Sequence, residues 1–443
     1  MRHDTSPPET LAEPALPLGR SAAARGAVGF QNTQALGARS GTLLGDASER
    51  HALVIAPTGA GKGRSVLLPW LLSYAGGAIV VDPKGEAASV TARWRRQHGQ
   101  TVCVVDPWHA GTSATVNPLE ALLQDSDDLG DDCLTLAELI VGEAPVSLQD
   151  PFWRSLALQL LAALIGWAWV RPGFVGEGAA ASEKERTLGA VWALLHSDDL
   201  AYSLAVVLDV HAKKPDFPRF VRDGFVTFLN HEAERVRTSV RSEAISLLRI
   251  FGSERVQAAT ATTTVPLAAL QAGAPVTVYL VVPPDRLESH AAWLRVLLGT
   301  FLVLLSRRTR RPALPTLFLV DELGHLGPMP PLRQAVTLLR GYGVRVALFV
   351  QSLAQLRALW PRDHETVLEN CGTWLAFGQA SLTAARQVAE QLGDIAAEAL
   401  FQMAPDELAI HCAGAPTQIA RRLDYLSDPL FAGRFDAHPL HGR

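Results

Sequence analysis

A short apolar run that ends in a glycine-rich loop constrains this 443-residue chain more than any other feature. Ala52-Leu53-Val54-Ile55 leads directly into Ala56-Pro57-Thr58-Gly59-Ala60-Gly61-Lys62-Gly63. In such a loop, consecutive backbone N–H groups point into one concavity at a helix N-terminus, where a polyphosphate gains hydrogen bonds and the positive end of the helix dipole. A lysine adds a point charge between the terminal phosphates. The pattern predicts that a nucleotide contacts Pro57, Thr58, Gly59, Ala60, Gly61, Lys62 and Gly63.

The loop departs from the usual phosphate-loop sequence at two positions. Ala56 stands where the first glycine is usual, and Gly63 stands where a serine or threonine hydroxyl normally contacts Mg²⁺. Taken alone, the segment is also compatible with an ordinary glycine-rich turn between a strand and a helix.

A second element far downstream favours the nucleotide site. The apolar run Thr316–Val320 is typical of a buried strand, and it ends in Asp321 and Glu322. Asp321 can hold Mg²⁺, through water if the loop offers no hydroxyl, and Glu322 can polarise the attacking water. An acidic strand exit is common by itself, but its presence together with the loop predicts ATP and Mg²⁺ as cofactors.

Further apolar runs alternate with helical stretches, which indicates an α/β fold with a mostly parallel sheet. Strands buried on both faces have continuous apolar sequences, and the right-handed crossover rule then places a ligand at the carboxyl ends of the strands. The predicted strands, besides the two above, are residues 77–81, 101–105, 276–282, 344–350 and 373–377. Gln351 follows one of them, where an amide can sense a terminal phosphate. It is equally compatible with a solvated strand exit.

Between residues 121 and 263 apolar residues recur at helical spacing and no comparable strand is found. We therefore expect an inserted all-α domain at 121–263 within a discontinuous nucleotide-binding domain at 45–120 and 264–443. Residues 1–44 contain Pro7, Pro8, Pro14 and Pro17 and no apolar leader segment, which predicts a flexible or loosely docked arm. Near the C-terminus, residues 417–420 suggest a short edge strand.

Composition sets limits on the class of protein. Hydrophobic residues make up 48% of the chain and charged residues 19%, which is typical of a globular α/β protein. The net charge of −4 provides no global basic field, so any contact with DNA must be local. The four cysteines form no C-x-x-C pair and predict reduced thiols and no metal site.

Six motifs occur in the order of a known family. They are the loop at 56–63, Asp82-Pro83-Lys84-Gly85-Glu86, Asn117-Pro118-Leu119, Asp150-Pro151-Phe152-Trp153, Val320-Asp321-Glu322-Leu323, and Arg340-Gly341-Tyr342-Gly343 running to Val350-Gln351-Ser352. Through them the chain resembles the type IV secretion coupling proteins, the conjugative DNA-transfer ATPases, over roughly residues 26–432. In many members of that family glycine follows the loop lysine, so Gly63 matches a family trait.

The resemblance implies a RecA-like nucleotide-binding domain, a helical domain that faces the cytosol, and a homo-hexameric ring with ATP between neighbouring subunits. It also implies that Arg340 reaches the phosphates of the adjacent subunit as an arginine finger, in which a bidentate guanidinium offsets charge on the transferring phosphoryl group. The alternative for Arg340 is a helix C-terminal residue that satisfies the helix dipole.

Coupling proteins usually begin with two membrane-spanning helices, and here the resemblance starts after them. No segment reaches the ~18 to 20 uncharged apolar residues of a bilayer span, so Leu156–Val170 and Val296–Leu305 are predicted to be buried helices. Either the chain is a naturally soluble member, or it was shortened, or it docks on a partner membrane protein, and the sequence leaves these alternatives open. We expect a cytoplasmic protein that is peripheral to the inner membrane through its partners.

Two basic clusters are candidates for a sequence-independent contact with DNA. One comprises Arg93, Arg95 and Arg96 with Trp94 among them, on which a single strand could stack, and the other comprises Arg307, Arg308, Arg310 and Arg311. Each is also compatible with a solvated helix end.

Three functions remain open. The first is an ATP-driven pump that moves single-stranded DNA or relaxase–DNA cargo into a type IV secretion channel, with secretion ATPases and inner-membrane components as partners. The second is a nucleotide-gated receptor for protein cargo with little motor activity. The third is a duplex DNA translocase, which the motifs at Asp82–Glu86 and Arg340–Ser352 disfavour.

Overall fold

One sheet of eleven strands forms the centre of the computed structural model, which describes residues 15–21, 41–109, 113–124, 126–142, 151–171, 185–231 and 233–439. The strands are β1 (Leu16–Ser21), β2 (Leu43–Asp46), β3 (Ala52–Ile55), β4 (Ala78–Asp82), β5 (Thr101–Val105), β6 (Val276–Val281), β7 (Thr316–Val320), β8 (Val344–Val350), β9 (Thr373–Phe377), β10 (Glu407–Cys412) and β11 (Gln418–Arg421). Their order across the sheet is β2-β1-β11-β10-β9-β3-β8-β7-β4-β6-β5.

The seven strands from β9 to β5 in that order run parallel. Every residue of β3, β4, β7 and β8 is buried, because helices cover both faces of the sheet. Burial on both faces explains why these strands are almost entirely apolar in the sequence. The buried Arg345 of β8 is an exception that is paired with Asp46. The prediction of an α/β fold with a mostly parallel sheet is confirmed.

Four antiparallel strands extend the sheet beyond β9, and the sequence prediction was incomplete or wrong for each. The expectation of a loosely docked arm is wrong for residues 16–21 and 43–44, which belong to β1 and β2; residues 1–14 and 22–40 lie outside the described part. β1 was missed because it contains Pro17 and Gly19, two residue types that are uncommon inside strands and typical of loops. Residues 418–421 are indeed a strand, but β11 is internal, between β10 and β1, so the edge assignment is wrong.

Buried contacts hold β1 in place. Leu16 and Leu18 are almost fully buried, and Trp70 Nε1 donates to the carbonyl of Pro17 at 2.7 Å. The guanidinium of Arg20 makes a two-point contact with Asp428, at 2.8 and 3.0 Å. The N-terminal strand and the C-terminal segment are therefore fastened to each other.

Eighteen α-helices are found in the described residues: α1 (Leu68–Ser73), α2 (Glu86–Gln97), α3 (Pro118–Leu123), α4 (Leu129–Val141), α5 (Pro151–Val170), α6 (Leu188–Leu195), α7 (Leu200–His211), α8 (Arg219–Leu229), α9 (Glu234–Leu248), α10 (Glu254–Ala259), α11 (Leu267–Ala272), α12 (Ala291–Ser306), α13 (Leu323–Leu326), α14 (Pro330–Leu338), α15 (Leu353–Leu359), α16 (His364–Asn370), α17 (Leu382–Leu392) and α18 (Ala397–Phe401). A short π-helical segment over Gly63–Leu67, called the π turn below, precedes α1. Between β5 and β6 the described residues contain helices and no strand. That residues 121–263 form a domain of their own stays a prediction.

The two faces of the sheet are covered by different helices. Alternate residues of β4 show the division: Ile79 and Val81 face the core that includes α3, α4, α5 and α12, whereas Ala78 and Val80 face α1, α2 and the C-terminal segment. The helices inserted after β5 thus share one continuous hydrophobic core with the sheet.

By length and composition alone, one helix of the described chain, Phe152–Val170 with 19 residues, could span a bilayer. It contains Arg154, and most of its apolar side chains are buried inside the protein, which agrees with the predicted buried helix at Leu156–Val170. The helix packs against α4, α8 and α9, as expected of a core helix. A second candidate arises only if Leu188–Leu195 and Leu200–His211, which meet at 114°, are counted as one span.

His51, which precedes β3, is 1% exposed, and its Nδ1 accepts a hydrogen bond of 2.9 Å from the N–H of Val346 in β8. Burial, together with the positive charges of Arg345 and Arg340, lowers the pKa of His51 to about 4 from an ordinary 6.5. The imidazole is therefore a neutral link between two central strands.

We predict that this link makes the fold sensitive to acid. Between pH 6.5 and 4, His51 binds a proton more readily in the unfolded chain than in the folded chain. The free energy of unfolding therefore decreases as the pH falls through this range, by about 3 kcal/mol in total. In His51→Asn the side-chain oxygen keeps the acceptor and does not titrate. Urea unfolding at pH 7 and 4.5 should show a smaller loss in this variant than in the wild type; an equal loss would contradict the assignment.

Candidate nucleotide site

The sheet order brings the predicted site residues together. The loop that contains Lys62 follows β3, the pair Asp321 and Glu322 follows β7, and Gln351 follows β8, which lies between those two strands. All three strands are parallel, so their carboxyl ends meet at one edge.

Two glycines give the loop its shape. Gly59 has φ +77° and Gly61 has φ +85°, in the left-handed region that glycine adopts without strain. The N–H of Ala60 bonds to the carbonyl of Pro57 at 3.0 Å, which closes the turn. A Cβ placed on Gly59 would meet no described atom within 4 Å, so this side of the loop is open.

Lys62 lies between the two predicted carboxylates. Its Nζ is 2.9 Å from Asp321 Oδ1 and 2.6 Å from Glu322 Oε1, and all three side chains are about four-fifths buried. The convergence predicted from residues some 260 positions apart is therefore observed. The same ammonium could contact a phosphate placed over the loop.

Glu322 is held in an unusual backbone conformation. Its φ of +53° makes it the one non-glycine residue with positive φ in the described part of the chain, a conformation that is found at functional sites because surrounding contacts enforce it. Its N–H donates to Asp321 Oδ1 at 2.9 Å, and Gln351 Nε2 donates to its Oε2 at 3.4 Å. Gln351 is in turn fixed, because its N–H donates to Gln355 Oε1 at 2.9 Å.

The pKa values follow burial and the lysine. Burial raises the pKa of Asp321 and outweighs the effect of Lys62. Burial also raises the pKa of Glu322, but the hydrogen bond and charge of Lys62 together hold it below its ordinary value. Lys62 is kept protonated, since the two carboxylates raise its pKa more than burial lowers it.

Asp82 and Glu86, the first and last residues of the Asp82–Glu86 motif, lie beside the site, although no role was predicted for either. Asp82 ends β4 beside β7, and its Oδ2 accepts from the N–H of Ala88 at 2.8 Å. Burial raises the pKa of Asp82 to about 6 despite the N–H donors of α2, and Glu86 and Asp321 contribute. The only signal for this placement was the position of the motif at a predicted strand end.

Mg²⁺ usually takes one or two carboxylates, with phosphate oxygens and waters completing its octahedron. Asp321 fits that role only if a nucleotide supplies the other oxygens: among residues 15–439, leaving out the undescribed gaps, no group of three or more His, Cys, Asp and Glu side chains could hold a metal.

A cavity of about 350 Å³ adjoins the loop, between it and the C-terminal segment. Arg64 pairs with Asp424 through two contacts of 2.6 Å, and Arg422 donates to the carbonyl of Ala60. The sequence analysis missed these residues, because the pairing of β11 with β10 and β1 is what brings Arg422 and Asp424 to the loop and to Arg64.

Arg340 lies away from this site. It belongs to a 3₁₀ turn, Leu339–Tyr342, that precedes β8, whereas Gln351 follows the same strand. Seven strand residues extend over roughly 23 Å, so Arg340 is not near the Lys62 of its own chain. Its neighbours Leu338 and Tyr342 are large side chains that are 66% and 42% exposed.

The basic clusters are mostly structural. Arg95 is buried, with donors to Thr277 and to the carbonyls of Leu71, Tyr74 and Gly76. Arg308 is buried and donates to four carbonyls, and Arg307 pairs with Asp132. For Arg95 and Arg308 the DNA-contact hypothesis is therefore wrong, because their guanidinium groups are buried and donate to carbonyls of the fold. Arg307 is partly exposed, and contact with DNA stays a prediction for it.

The family model described as "Type IV secretory system Conjugative DNA transfer" matches residues 20–400. The chain belongs to this family. The family resemblance drawn from the motifs is confirmed.

Relatives of the conjugative DNA transfer family share about a quarter of their residues with this chain. The conjugal transfer protein TraG of Rhizobium radiobacter is 27% identical over 75% of this chain and 50% of its own length. VirD4 of Agrobacterium fabrum is 26% identical over 80% of this chain and 51% of its own. The chain thus spans about half the length of these relatives.

Solved structures share the fold. The conjugative coupling protein TrwBdeltaN70 superposes with a TM-score of 0.66 at 13% identity, covering 85% of each chain. TrwB in complex with ADP and Mg²⁺ has a TM-score of 0.63 at 15% identity, covering 84% of each chain.

Proposed function

We propose that this chain binds ATP with Mg²⁺ at the Lys62 loop, hydrolyses it, and couples hydrolysis to the transfer of single-stranded DNA or DNA–protein cargo through a type IV secretion channel. The single observation that carries this proposal is the contact of Lys62 with both Asp321 and Glu322 at the carboxyl edge of the parallel sheet. Family membership and the fold shared with nucleotide-bound TrwB support it.

In the proposed complex the polyphosphate lies on the open side of the loop. Lys62 exchanges its contact with Glu322 for a phosphate oxygen. Asp321 remains in place as the carboxylate that would hold Mg²⁺. Mg²⁺, when bound, would neutralise charge on the phosphates. The cavity between Arg64, Arg422 and the loop offers space beside the phosphates.

Glu322 then acts on the attacking water. Its low pKa keeps it ionised near neutral pH, as a group that polarises water must be. Gln351 donates to Glu322 through its side chain and to Gln355 of α15 through its backbone N–H. Loss of the terminal phosphate would therefore change the position of Gln351 and, through these contacts, of the end of β8 and the start of α15.

The site is proposed to be completed by a neighbouring copy in a homo-hexameric ring. Arg340 is too far from its own loop, is exposed, and lies between the exposed side chains of Leu338 and Tyr342. An exposed arginine flanked by apolar side chains is suited to a subunit interface. A neighbour could thus insert Arg340 beside the phosphates.

Contact with DNA is proposed to be electrostatic and independent of sequence. Arg96 and Arg310 are exposed and remain available for phosphates, unlike the buried members of their clusters. Relaxase or other secreted cargo, secretion ATPases and inner-membrane components are the proposed partners, with the protein at the cytoplasmic face of the inner membrane.

ATP hydrolysis by the purified full chain should rise on addition of single-stranded DNA and fall with salt. Lys62→Ala should abolish it by removing the phosphate contact, and Glu322→Gln should abolish hydrolysis while keeping nucleotide binding. Arg386→Ala, which changes an exposed arginine of α17, is the matched control. An assembled wild-type ring with no hydrolysis under any DNA condition would refute the motor.

Arg340→Ala should reduce the hydrolysis rate by ~10³ to 10⁵, the effect of losing an arginine finger, without weakening binding of ADP comparably. Mixing Arg340→Ala with Lys62→Ala should restore partial activity, because one variant supplies the intact loop and the other the finger. No recovery in mixed rings, with mixing verified by mass, would show that Arg340 does not act between subunits.

A second candidate, a nucleotide-gated cargo receptor, is favoured by one surface. Tyr202, Val206 and Val210 form an apolar stripe along α7, with exposed fractions of 68%, 41% and 54%. Such a stripe fits a protein partner. In that case the ATPase measurement would show hydrolysis that DNA does not stimulate.

A further inference from the structure

We propose that Glu86 takes the place of the hydroxyl that the phosphate loop lacks at position 63, and that its carboxylate positions the Mg²⁺ that accompanies the nucleotide. The inference rests on the proposed nucleotide binding and adds a positioning residue to it.

The first observation concerns Gly63, where glycine is not required by the backbone. Gly63 begins the π turn and lies outside the left-handed region, unlike Gly59 and Gly61. A Cβ placed on Gly63 would meet one described neighbour within 4 Å, Glu86 Oε1 at 3.9 Å, which is an ordinary contact distance. A serine would therefore fit, and its hydroxyl would lie beside the Glu86 carboxylate.

The second observation is that Glu86 is held at this place. It is the first residue of α2 and follows Gly85, whose φ of +65° turns the chain into the helix. Nε2 of the nearly buried His438 is 2.9 Å from Glu86 Oε1. Asp436 anchors that C-terminal stretch on α2, because its N–H donates to the carbonyl of Val90 at 2.9 Å and its carboxylate pairs with Arg93 at 2.6 Å.

The third observation is the charge around position 63. Asp82, which ends β4 beside β7, is close enough to Glu86 and to Asp321 for each of these carboxylates to contribute to its raised pKa. Mg²⁺ is a hard cation that prefers carboxylate, water and phosphate oxygens and keeps several waters. A carboxylate beside position 63 can therefore accept hydrogen bonds from those waters, which supplies by another route the oxygen that a loop hydroxyl would have given.

Glu86 has a competing structural role. An acidic residue in the first turn stabilises a helix through its dipole, and the contact with His438 could serve only to fasten the C-terminal segment. A structural role would affect nucleotide binding equally with and without Mg²⁺.

The test measures the affinity of the full chain for a fluorescent ADP, in Mg²⁺ and in EDTA. In Glu86→Gln the amide oxygen can still face His438, but the charge is lost. We expect the gain in affinity from Mg²⁺ to fall about 10- to 100-fold, the usual effect of losing an outer-sphere partner, with the affinity in EDTA unchanged. Adding Gly63→Ser to this variant should restore the Mg²⁺ effect.

Glu390→Gln, a change of an exposed carboxylate on α17, is the matched control. An unchanged Mg²⁺ effect in Glu86→Gln, an equal loss of affinity in both buffers, or a failure of Gly63→Ser to restore the effect would overturn the assignment. If the wild type binds no ADP in either buffer, the nucleotide-binding proposal itself fails. The two failures are therefore distinguishable.

Discussion

The parallel pairing of β3, β8 and β7 is the constraint on which the candidate site depends. Lys62 and Glu322 are separated by 260 positions in the chain, yet their charged atoms are 2.6 Å apart because each follows a strand of the same sheet. The strands are buried on both faces, so slippage of one would expose or misplace a complete set of apolar side chains. The strand register that keeps the apolar side chains buried therefore also sets the distance between the Lys62 ammonium and the carboxylates of Asp321 and Glu322.

Sequence patterns predicted this part of the molecule well for the same physical reason. A strand buried on both faces is almost entirely apolar, and β7, β8 and β9 begin and end at the predicted residues, as does the edge strand β5. Lys62, Asp321, Glu322 and Gln351 were found because each follows such a strand. The antiparallel extension was predicted poorly, since β1 contains Pro17 and Gly19 and owes its place to contacts with Trp70 and Asp428, which no local pattern shows.

The burial of charged and titratable side chains was the property that the sequence predicted least well. A cluster of arginines has the same sequence whether it faces solvent or the interior, and Arg95 and Arg308 prove to be buried groups that satisfy carbonyls. Removal of such a side chain would leave carbonyls without donors, at a cost of about 1 to 3 kcal/mol for each buried group. His51 likewise looked unremarkable in the sequence, although burial and two arginines make it a neutral link between strands.

The C-terminal segment contacts the candidate nucleotide loop and its surroundings at several points. Arg422 contacts the carbonyl of Ala60, Asp424 pairs with Arg64, and His438 contacts the carboxylate that faces Gly63. The same segment is fastened to β1, because Arg20 donates to Asp428. The antiparallel strands that the sequence patterns missed therefore belong to the part of the molecule that connects the candidate loop, through the C-terminal segment, to β1.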